Sequence, residues 1–463
     1  MKALRGKAGA ILVSLAGLLF FSGFSAESFA VPSFARQTGV ACEGCHTVFP
    51  ELTPFGRSFK MNGYLMDNLP QVKGMTTDNK EALLLNWLPP LSIMFQSSYT
   101  GTSKALPDPS GIGNSQNGQV LFPQQASLFY AGRIAPNVGG FIQMTYASDS
   151  GTFGWDNTDI RYADHGSIAG KDVTWGVSFN NNPTVQDVWN STPAWQTPFD
   201  QRSSAAPTPT AVTQIDGTLA GNVAGVTVYG YFANSIYAEF GAYRSAPQGF
   251  TGLAGAGPLD STATNVVNGA APYWRVAYER QWDRNSWSIG AFGMDVDLFP
   301  GGTTLEGLTN KYRDMALDTQ YQFIGDESIY SLQAVYIHEK QNLDASYAAG
   351  AAANSSNTLR TMRIAGSYYY QRKYGGGLGY FSTTGTADSL LYPQGTAVFG
   401  SANGSPDSRG WIAELNYIPW QNVKLALQYT AYNRFNGGGN NYDGLGRNAS
   451  DNNTVYLLAW INY

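Results

Sequence analysis

From about residue 87 to residue 463, the sequence is built of short segments in which apolar and polar residues alternate. For example, Trp411 and Leu415 fall on one face of an extended chain, whereas Glu414 and Asn416 fall on the other. An alternation of period two predicts β-strands with one apolar and one polar face. We therefore predict an all-β domain of about 16 antiparallel strands. The predicted strands cover 88–99, 124–134, 138–147, 157–165, 172–180, 225–232, 235–244, 272–281, 286–296, 312–323, 328–338, 359–371, 375–384, 409–418, 422–433 and 453–463.

The connections between these segments are alternately short and long. Short turns on the periplasmic side, long outer loops and an apolar face toward lipid are typical of outer-membrane barrels. A soluble β-sandwich would explain the alternation but not the asymmetry of the connections. We therefore predict an antiparallel transmembrane β-barrel whose even strand number returns its C-terminus to the periplasmic side. The long connections run near 100–123, 181–224, 245–271, 339–358, 385–408 and 434–452.

The composition agrees with a membrane barrel and argues against two other classes. Only 13% of the residues are charged, compared with about 25% in average proteins. Beyond the first 30 residues, no apolar run approaches the length of about 20 that a membrane-spanning helix needs. The formal net charge of −5 argues against nucleic acid as a partner.

Residues 1–30 have the pattern of a secretory signal peptide. Lys2, Arg5 and Lys7 are followed by an apolar run, and the segment ends in small residues up to Ala30. We predict cleavage after Ala30 and therefore export from the cytoplasm. A retained membrane anchor is the alternative, but the apolar run is short for a membrane span.

A cysteine motif follows directly after the predicted signal peptide. Residues 42–46 read Cys-Glu-Gly-Cys-His, which is the spacing for covalent attachment of a c-type haem. Cys42 and Cys45 would form thioethers with the haem, and His46 would bind its iron. A disulfide, a redox dithiol or half of a zinc site are the alternatives. Because the chain has only two cysteines and three histidines, we favour one covalently bound haem c.

Residues 31–86 are predicted to form a small haem segment ahead of the barrel domain at 87–463. About 55 residues bury too little surface for an independent core, so the haem would supply apolar mass. Arginine and lysine pair well with carboxylates, which makes the basic residues candidates for the haem propionates, with a solvated face as the alternative. Predicted aromatic neighbours of the haem are Phe34, Phe49, Phe55, Phe59 and Tyr64, and predicted propionate partners are Arg36, Arg57 and Lys60.

The sixth iron ligand is less well defined by the sequence. Met61 and Met66 follow the motif at suitable distances, and a methionine ligand would raise the reduction potential. His165 or His338 from the barrel domain, or an open or water-bound position, are the alternatives.

The N-terminal segment resembles that of a known family. Pro-Ser-Phe-Ala-Arg-Gln-Thr-Gly at 32–39, the haem motif, and Pro-Glu-Leu-Thr-Pro-Phe-Gly-Arg-Ser-Phe-Lys at 50–60 resemble the signature of fused outer-membrane monohaem cytochrome c–porins. Residues 182–190 repeat the likeness more loosely. The best-known members of that family are iron-oxidising outer-membrane cytochromes c. The resemblance implies haem attachment at Cys42 and Cys45, axial ligation by His46, and a porin-like barrel after the haem segment.

These features together predict an electron conduit in the bacterial outer membrane. A single haem must lie within the lumen to serve partners on both sides of a hydrocarbon layer of about 25–30 Å. We therefore expect the haem segment to plug the barrel from the periplasmic side, with the long loop at 181–224 folding inward. The expected activity is one-electron Fe(II) oxidation at the haem ligated by His46, from an extracellular donor to a soluble periplasmic cytochrome. A transport porin with a structural or regulatory haem plug, another donor, or outward electron flow are the alternatives.

Overall fold

The computed structural model describes residues 32–66, 71–75, 81–106, 118–147, 151–193, 206–245, 265–300 and 306–463. The predicted signal peptide at 1–30 lies outside the described residues. Among the described residues, no helix is long and apolar enough to cross a membrane.

The chain begins with short helices and strands. A hairpin then leads from this N-terminal segment to the barrel. The elements of the N-terminal segment are α1 (Pro32–Thr38), α2 (Cys42–Cys45), β1 (His46–Val48), β2 (Glu51–Leu52) and α3 (Pro54–Met61), and those of the hairpin are β3 (Gln71–Met75) and β4 (Glu81–Asn86).

Sixteen long antiparallel strands then form a closed barrel, which confirms the predicted fold class and strand number. A short additional strand, β12, continues the sheet beside β14. The strands are β5 (Leu91–Thr102), β6 (Gln119–Ala135), β7 (Val138–Ala147), β8 (Thr152–Ile168), β9 (Lys171–Asn180), β10 (Val223–Phe232), β11 (Ile236–Ser245), β12 (Asn265–Val267), β13 (Ala271–Trp282), β14 (Asn285–Pro300), β15 (Asn310–Ile324), β16 (Ser328–Asn342), β17 (Ser356–Tyr370), β18 (Tyr374–Gly385), β19 (Ser408–Trp420), β20 (Val423–Arg434) and β21 (Thr454–Asn462). Short helices in the connections are α4 (Pro183–Gln186) and α5 (Asp344–Ala348).

The barrel closes where the last strand meets the first long one. β21 pairs with β5, and Tyr463 and Ile93 exchange two backbone hydrogen bonds of 2.7 and 2.8 Å at the end of this seam. Both ends of the barrel therefore lie at the rim that carries the short turns, as the even strand number predicts.

The two faces of the barrel wall differ as the alternation predicts. Leu317, Leu378 and Leu415 point outward and are among the most exposed large apolar residues, whereas the inward-facing Gln322 and Gln428 are buried. Buried polar side chains on the inner face mean that the lumen is packed with protein in this region, because open water would leave them accessible.

Several strands extend farther toward the loops than the sequence predicts. β16 continues to Asn342, four residues beyond the predicted end at 338, through the polar sequence Glu339-Lys340-Gln341-Asn342. Backbone pairing to β15 and β17 holds this extension, and pairing does not require an apolar face. The period-two signal fades where the wall rises above its apolar band.

The N-terminal segment lies inside the barrel, near the rim with the short turns. Ser33 Oγ donates a hydrogen bond of 2.9 Å to the carbonyl of Ala131 in β6. From two short turns, Arg372 and Gln421 donate hydrogen bonds of 3.3 and 3.1 Å to the carbonyl and carboxylate of Glu43. The expected plugging of the lumen is therefore present in the fold.

The connection between β9 and β10 also folds into the lumen, as expected for this long loop. Its residues 181–192 are all buried, and they include α4. Farther along, a helical turn at Gln214–Thr218 places Ile215 and Leu219 in the largest apolar cluster of the lumen. We call the described residues 181–193 and 206–222 the inward loop.

Candidate cofactor site

One cavity brings most of the predicted haem residues together. It lies between the N-terminal segment, the barrel wall and the inward loop, and it encloses about 1210 Å³ of atom-free space, part of which is open to solvent. Sites for small molecules and cofactors have volumes of about 300–1,000 Å³, so the space suffices for a large planar cofactor. Its lining includes Phe34, Cys45, His46, Phe49, Phe55, Phe59, Lys60, Tyr64, Met66, Met94, Phe129, Phe141, Val185, Asp187, Asn190 and Trp460.

The two cysteines of the motif lie in the single helical turn α2. Residues three apart in a helix share a face, so Cys42 and Cys45 are neighbours on this turn. Cys45 lines the cavity, whereas Cys42 is buried behind it. The two are not joined in a disulfide. Burial raises the pKa of the Cys45 thiol to about 11, so the thiol is protonated at neutral pH.

Contacts with α3 fix the position of this turn. Thr53 donates a hydrogen bond of 2.6 Å from Oγ1 to the carbonyl of Gly44, and its own amide donates one of 2.9 Å to the carbonyl of Cys45. The same hydroxyl caps α3 by accepting from the Gly56 amide at 3.1 Å. A Cβ on Gly56 would lie 2.2 Å from the Cys45 carbonyl oxygen, so only glycine permits this approach.

His46 follows the turn and faces the cavity. Part of its surface is open to the cavity, but its Nδ1 is buried without a hydrogen-bond partner. Burial lowers the pKa of His46 to about 4, although backbone groups of Glu51 and Pro50 oppose the shift. The imidazole is therefore neutral at neutral pH, which is the form that binds metals.

Aromatic side chains form the apolar walls. Phe34 contacts Phe59 edge-to-face at a centroid distance of 5.1 Å and stacks on Tyr64 at 5.3 Å. Phe49 lies 5.2 Å from the His46 ring. Phe55 also lines the cavity but is 44% exposed, so it marks an edge that opens to solvent. The structure thus brings all the predicted aromatic residues to the cavity.

Tyr64 owes its position to the end of α3. Gly63 and Tyr64 both have positive φ, of 69° and 59°, and the Tyr64 amide donates a 3.0 Å hydrogen bond to the Phe59 carbonyl. Tyr64 then donates a 2.6 Å hydrogen bond from its hydroxyl to Asp159 in β8. Burial, with Asp159 adding to the effect, raises the pKa of Tyr64 well above its usual range.

The three predicted basic residues are not equivalent, which corrects part of the predicted set. Lys60 lines the cavity, and its Nζ donates to the backbone carbonyls of Val185 and, at 3.3 Å, Asp187. Burial lowers the pKa of Lys60 to about 8, with a smaller contribution from Arg161. Arg36 instead donates to the carbonyl of Leu91, away from the cavity lining.

Arg57 points to the barrel wall rather than to the cavity. Its Nη2 lies 2.8 Å from Oε1 of Glu279, and Nη1 donates to Gln320 and Gln322 at 2.9 and 3.1 Å. Glu51 accepts hydrogen bonds of 3.2 Å from the same two glutamines and another from Ser331. These residues attach the N-terminal segment to the wall, and Arg57 is not placed to bind a cofactor carboxylate.

The two methionine candidates are also separated. Met66 lines the cavity, whereas Met61 is buried in a different cluster with Trp189, Tyr229 and Tyr237. The prediction of Met61 as a ligand does not agree with this position, because its side chain lies on the face of α3 turned away from His46.

Neither histidine of the barrel domain lines the cavity. His165 lies near the turn between β8 and β9, where its Nδ1 is 3.2 Å from Thr174 Oγ1. His338 has the outward parity of β16, as do the exposed Leu332 and Tyr336. Met66 is therefore the one of these four candidates that the fold brings to the cavity.

The inward loop forms the roof of the cavity, through Val185, Asp187 and Asn190. Asn182 caps α4 by accepting from the amides of Thr184 and Val185 at 2.9 and 3.3 Å. The roof residues coincide with the sequence 182–190, whose looser likeness to the family was the only sequence signal for them.

The inward loop is also tied to the wall on its far side. The amides of Gln214 and Ile215 donate hydrogen bonds of 2.6 and 2.7 Å to Glu339 and Asp314. Asp216 pairs with Arg363 of β17. This part of the loop separates the cavity from the rim that carries the long loops.

Four wall residues of the cavity had not been predicted. Met94, Phe129, Phe141 and Trp460 are apolar but point inward near the short-turn ends of β5, β6, β7 and β21. A signal for them exists in the sequence, because each has the parity of polar lumen residues such as Gln96 on the same strand set. Apolar residues at lumen positions therefore mark where the wall contacts a bound group or plug.

Comparisons with known proteins show the fold. No protein family model and no curated protein matches the chain. Among solved structures, the outer membrane channel DcaP of Acinetobacter baumannii is 12% identical, covers 81% of this chain and 96% of its own, and has a TM-score of 0.46. In-vitro folded OmpT, an outer membrane protein of Vibrio cholerae, has values of 12%, 81%, 96% and 0.42. The anion-selective porin from Comamonas acidovorans has values of 11%, 81%, 98% and 0.44.

Proposed function

We propose that this bacterial outer-membrane β-barrel protein is a monohaem electron-transfer protein, an Fe(II)-oxidising cytochrome c that passes electrons to a soluble periplasmic cytochrome. The observation that carries the proposal is that Cys45 and His46 line one apolar cavity of the lumen, with Cys42 in the same helical turn. A haem c bound there would supply one-electron exchange between ferric and ferrous iron.

The residues at the cavity fit such a group. Cys42 and Cys45 would hold it covalently, and the neutral imidazole of His46 would be an axial ligand. Lys60 is the cation beside the cavity and would pair with a propionate. Met66 is the candidate for the second axial position. The buried Nδ1 of His46 has no partner among the described residues and is the kind of polar atom that a bound cofactor site leaves for a second-shell contact.

The remaining residues around the cavity would exclude water and hold its shape. Phe34, Phe59 and Tyr64 pack against one another along one wall, and Val185 covers the roof. A dry apolar surrounding is one of the means by which proteins set a reduction potential. The anchors at Arg57 and Glu51 keep the segment fixed while the redox state changes.

The position of the cavity supports periplasmic exchange with a soluble partner. It lies near the short-turn rim, which is the periplasmic side in barrels of this kind, and Phe55 marks its solvent-exposed edge. A soluble cytochrome can approach within contact distance of this edge. The long-loop side is covered by the inward loop, so an extracellular donor would act across that layer.

The alternative of a transport porin is less favoured by the same observations. Within the described residues, both the N-terminal segment and the inward loop occupy the lumen with buried side chains. A solute path would need at least one of them to move. Another donor, or electron flow outward, uses the same site and is separated from Fe(II) oxidation by the test below.

The test is made on intact cells that carry the protein in the outer membrane. Fe(II) is added outside, and the reduced c-haem absorption band is followed, with Cys42→Ala as the haem-free control. Rapid reduction only in the haem-bearing form is the expected result. Oxidised haem despite confirmed insertion and haem loading would exclude external Fe(II) as the donor. The reduction potential of the purified protein then decides the direction, because a strongly negative value disfavours iron oxidation.

A further inference from the structure

The outer face of the barrel carries a groove that the proposed function does not use. It crosses β16 to β19 near the short-turn rim, and it encloses about 1780 Å³ of atom-free space that is open to the outside. Leucine and tyrosine side chains line most of it. The groove therefore lies where the barrel meets the hydrocarbon of the membrane.

Two outward-facing glycines create the groove. The register places Gly366 of β17 between Leu332 and Leu378, and it places Gly376 of β18 between Tyr368 and Leu415. Their neighbours are large, so the missing side chains leave a recess in an otherwise filled surface. A Cβ on Gly366 would meet nothing closer than 3.8 Å, so the space above it is empty of protein.

Tyrosines border the recess toward the short-turn rim. Tyr330 and Tyr368 lie 4.9 Å apart, and Tyr370 and Tyr374 flank the turn between β17 and β18. Tyrosines at this level have the position of the aromatic girdle of outer-membrane barrels, where hydroxyl groups meet lipid headgroups. One end of the groove is thus apolar, and the other is amphipathic.

A basic residue lies at the amphipathic end. Lys373 is exposed in the turn between Tyr370 and Tyr374, and no ion pair to it is found among the described residues. Its neighbour Arg372 is turned toward Glu43, at 3.6 Å from the carboxylate. Lys373 is therefore the cation available to an anionic group at this rim.

We infer that this groove binds one glycerophospholipid of the periplasmic leaflet, with an acyl chain in the recess above Gly366 and Gly376 and the phosphate beside Lys373. An apolar recess that ends at tyrosine hydroxyls and a cation is complementary to an acyl chain that ends at a phosphate. A second barrel is a poorer occupant, because two convex walls leave a recess between them unfilled, whereas a flexible chain fills it.

The test measures the phospholipid that stays with the full-length protein after extraction in mild detergent and gel filtration. Native mass spectrometry gives the mass of retained lipid, and phosphorus analysis gives its amount per chain. We expect about one phospholipid per chain for the natural sequence, in line with a single site of cofactor size.

Three variants make the test specific. Gly366→Leu fills the recess and should reduce retained phospholipid to the detergent background. Lys373→Glu, in an exposed turn, should weaken retention about fivefold, which is the effect of one basic residue near an anionic lipid. Gly230→Leu is the matched control, because Gly230 also faces outward on its strand and a Cβ there meets nothing within 4 Å.

Folding is checked for each variant by heat-modifiable migration in gels. Equal phospholipid content in the natural sequence and in both Gly366→Leu and Lys373→Glu would overturn the inference. A change of oligomeric mass in Gly366→Leu at constant lipid content would also overturn it and would assign the groove to a second copy of the chain. If Gly366→Leu does not fold, the result for Lys373→Glu alone decides.

Discussion

Arg57 of the N-terminal segment and Glu279 of the barrel wall form an ion pair of 2.8 Å, in which each side chain is only 1% exposed. The pair joins two parts of the chain that share no secondary structure. Removing one partner of a buried pair leaves an uncompensated charge, whereas removing one partner of an exposed pair leaves a charge in water.

We therefore expect Arg57→Ala to weaken the attachment of the N-terminal segment by about 3–5 kcal/mol. The measurement is the rate at which protease cleaves residues 32–66 in the folded barrel. The matched control is Arg284→Ala, whose pair with Asp326 has a distance of 2.6 Å but side-chain exposures of 52% and 82%. Its effect on stability should be about 0–1 kcal/mol. Equal protease resistance of both variants would contradict the assigned role of Arg57.

Gly56→Ala should separate α2 from α3. The new methyl group would lie 2.2 Å from the Cys45 carbonyl oxygen, and backbone atoms cannot move aside as a flexible side chain can. Overpacking of this kind costs about 1–3 kcal/mol. We expect a lower haem-to-protein ratio, measured by the pyridine haemochrome absorbance of the purified protein. Gly166→Ala is the control, since a Cβ there meets nothing within 4 Å, and normal haem content in Gly56→Ala would refute the prediction.

Met66 and Met61 should respond differently to truncation. Because a methionine axial ligand raises the potential, Met66→Ala should lower the reduction potential and change the visible spectrum of the oxidised protein. Met61→Ala should leave the potential unchanged but reduce stability by about 2–5 kcal/mol, as expected for a buried side chain. Redox titration and thermal unfolding of the two variants separate these outcomes. A shift of potential in the Met61 variant alone would restore Met61 as the ligand.

The lumen should conduct ions poorly. Both the N-terminal segment and the inward loop fill it within the described residues, so the natural protein in a planar bilayer should show little conductance. Deletion of residues 32–66 should raise conductance only in part, because the inward loop keeps its bonds from Gln214 and Ile215 to Glu339 and Asp314. A conductance of the natural protein equal to that of the deletion variant would favour a transport function.

The strands were predictable because their signal is local. The alternation of residues such as Trp411 and Glu414, together with short turns such as Pro136-Asn137, fixes a strand within a few residues without knowledge of its partners. Strand ends on the loop side were underestimated, as at Asn342, because backbone pairing there continues without the apolar face.

The roles of the α3 residues were not predictable to the same degree. Residues four apart share one helix face, so Arg57 and Met61 point together toward the wall, whereas Gly56 and Lys60 point together toward the motif and cavity. The sequence contains this periodicity, but it does not say which face meets the cavity. That choice depends on Glu279 and the inward loop, which are distant in sequence.

The anchors of the N-terminal segment also imply an order of folding. Arg57 is 222 residues from Glu279 in the sequence and 263 residues from Gln320. The segment leaves the ribosome first, yet its anchors do not exist until β13 and β15 have joined the sheet. Closing so long a loop has an entropic cost that only formed partners can offset. The first part of the chain to be made is therefore among the last to reach its final position.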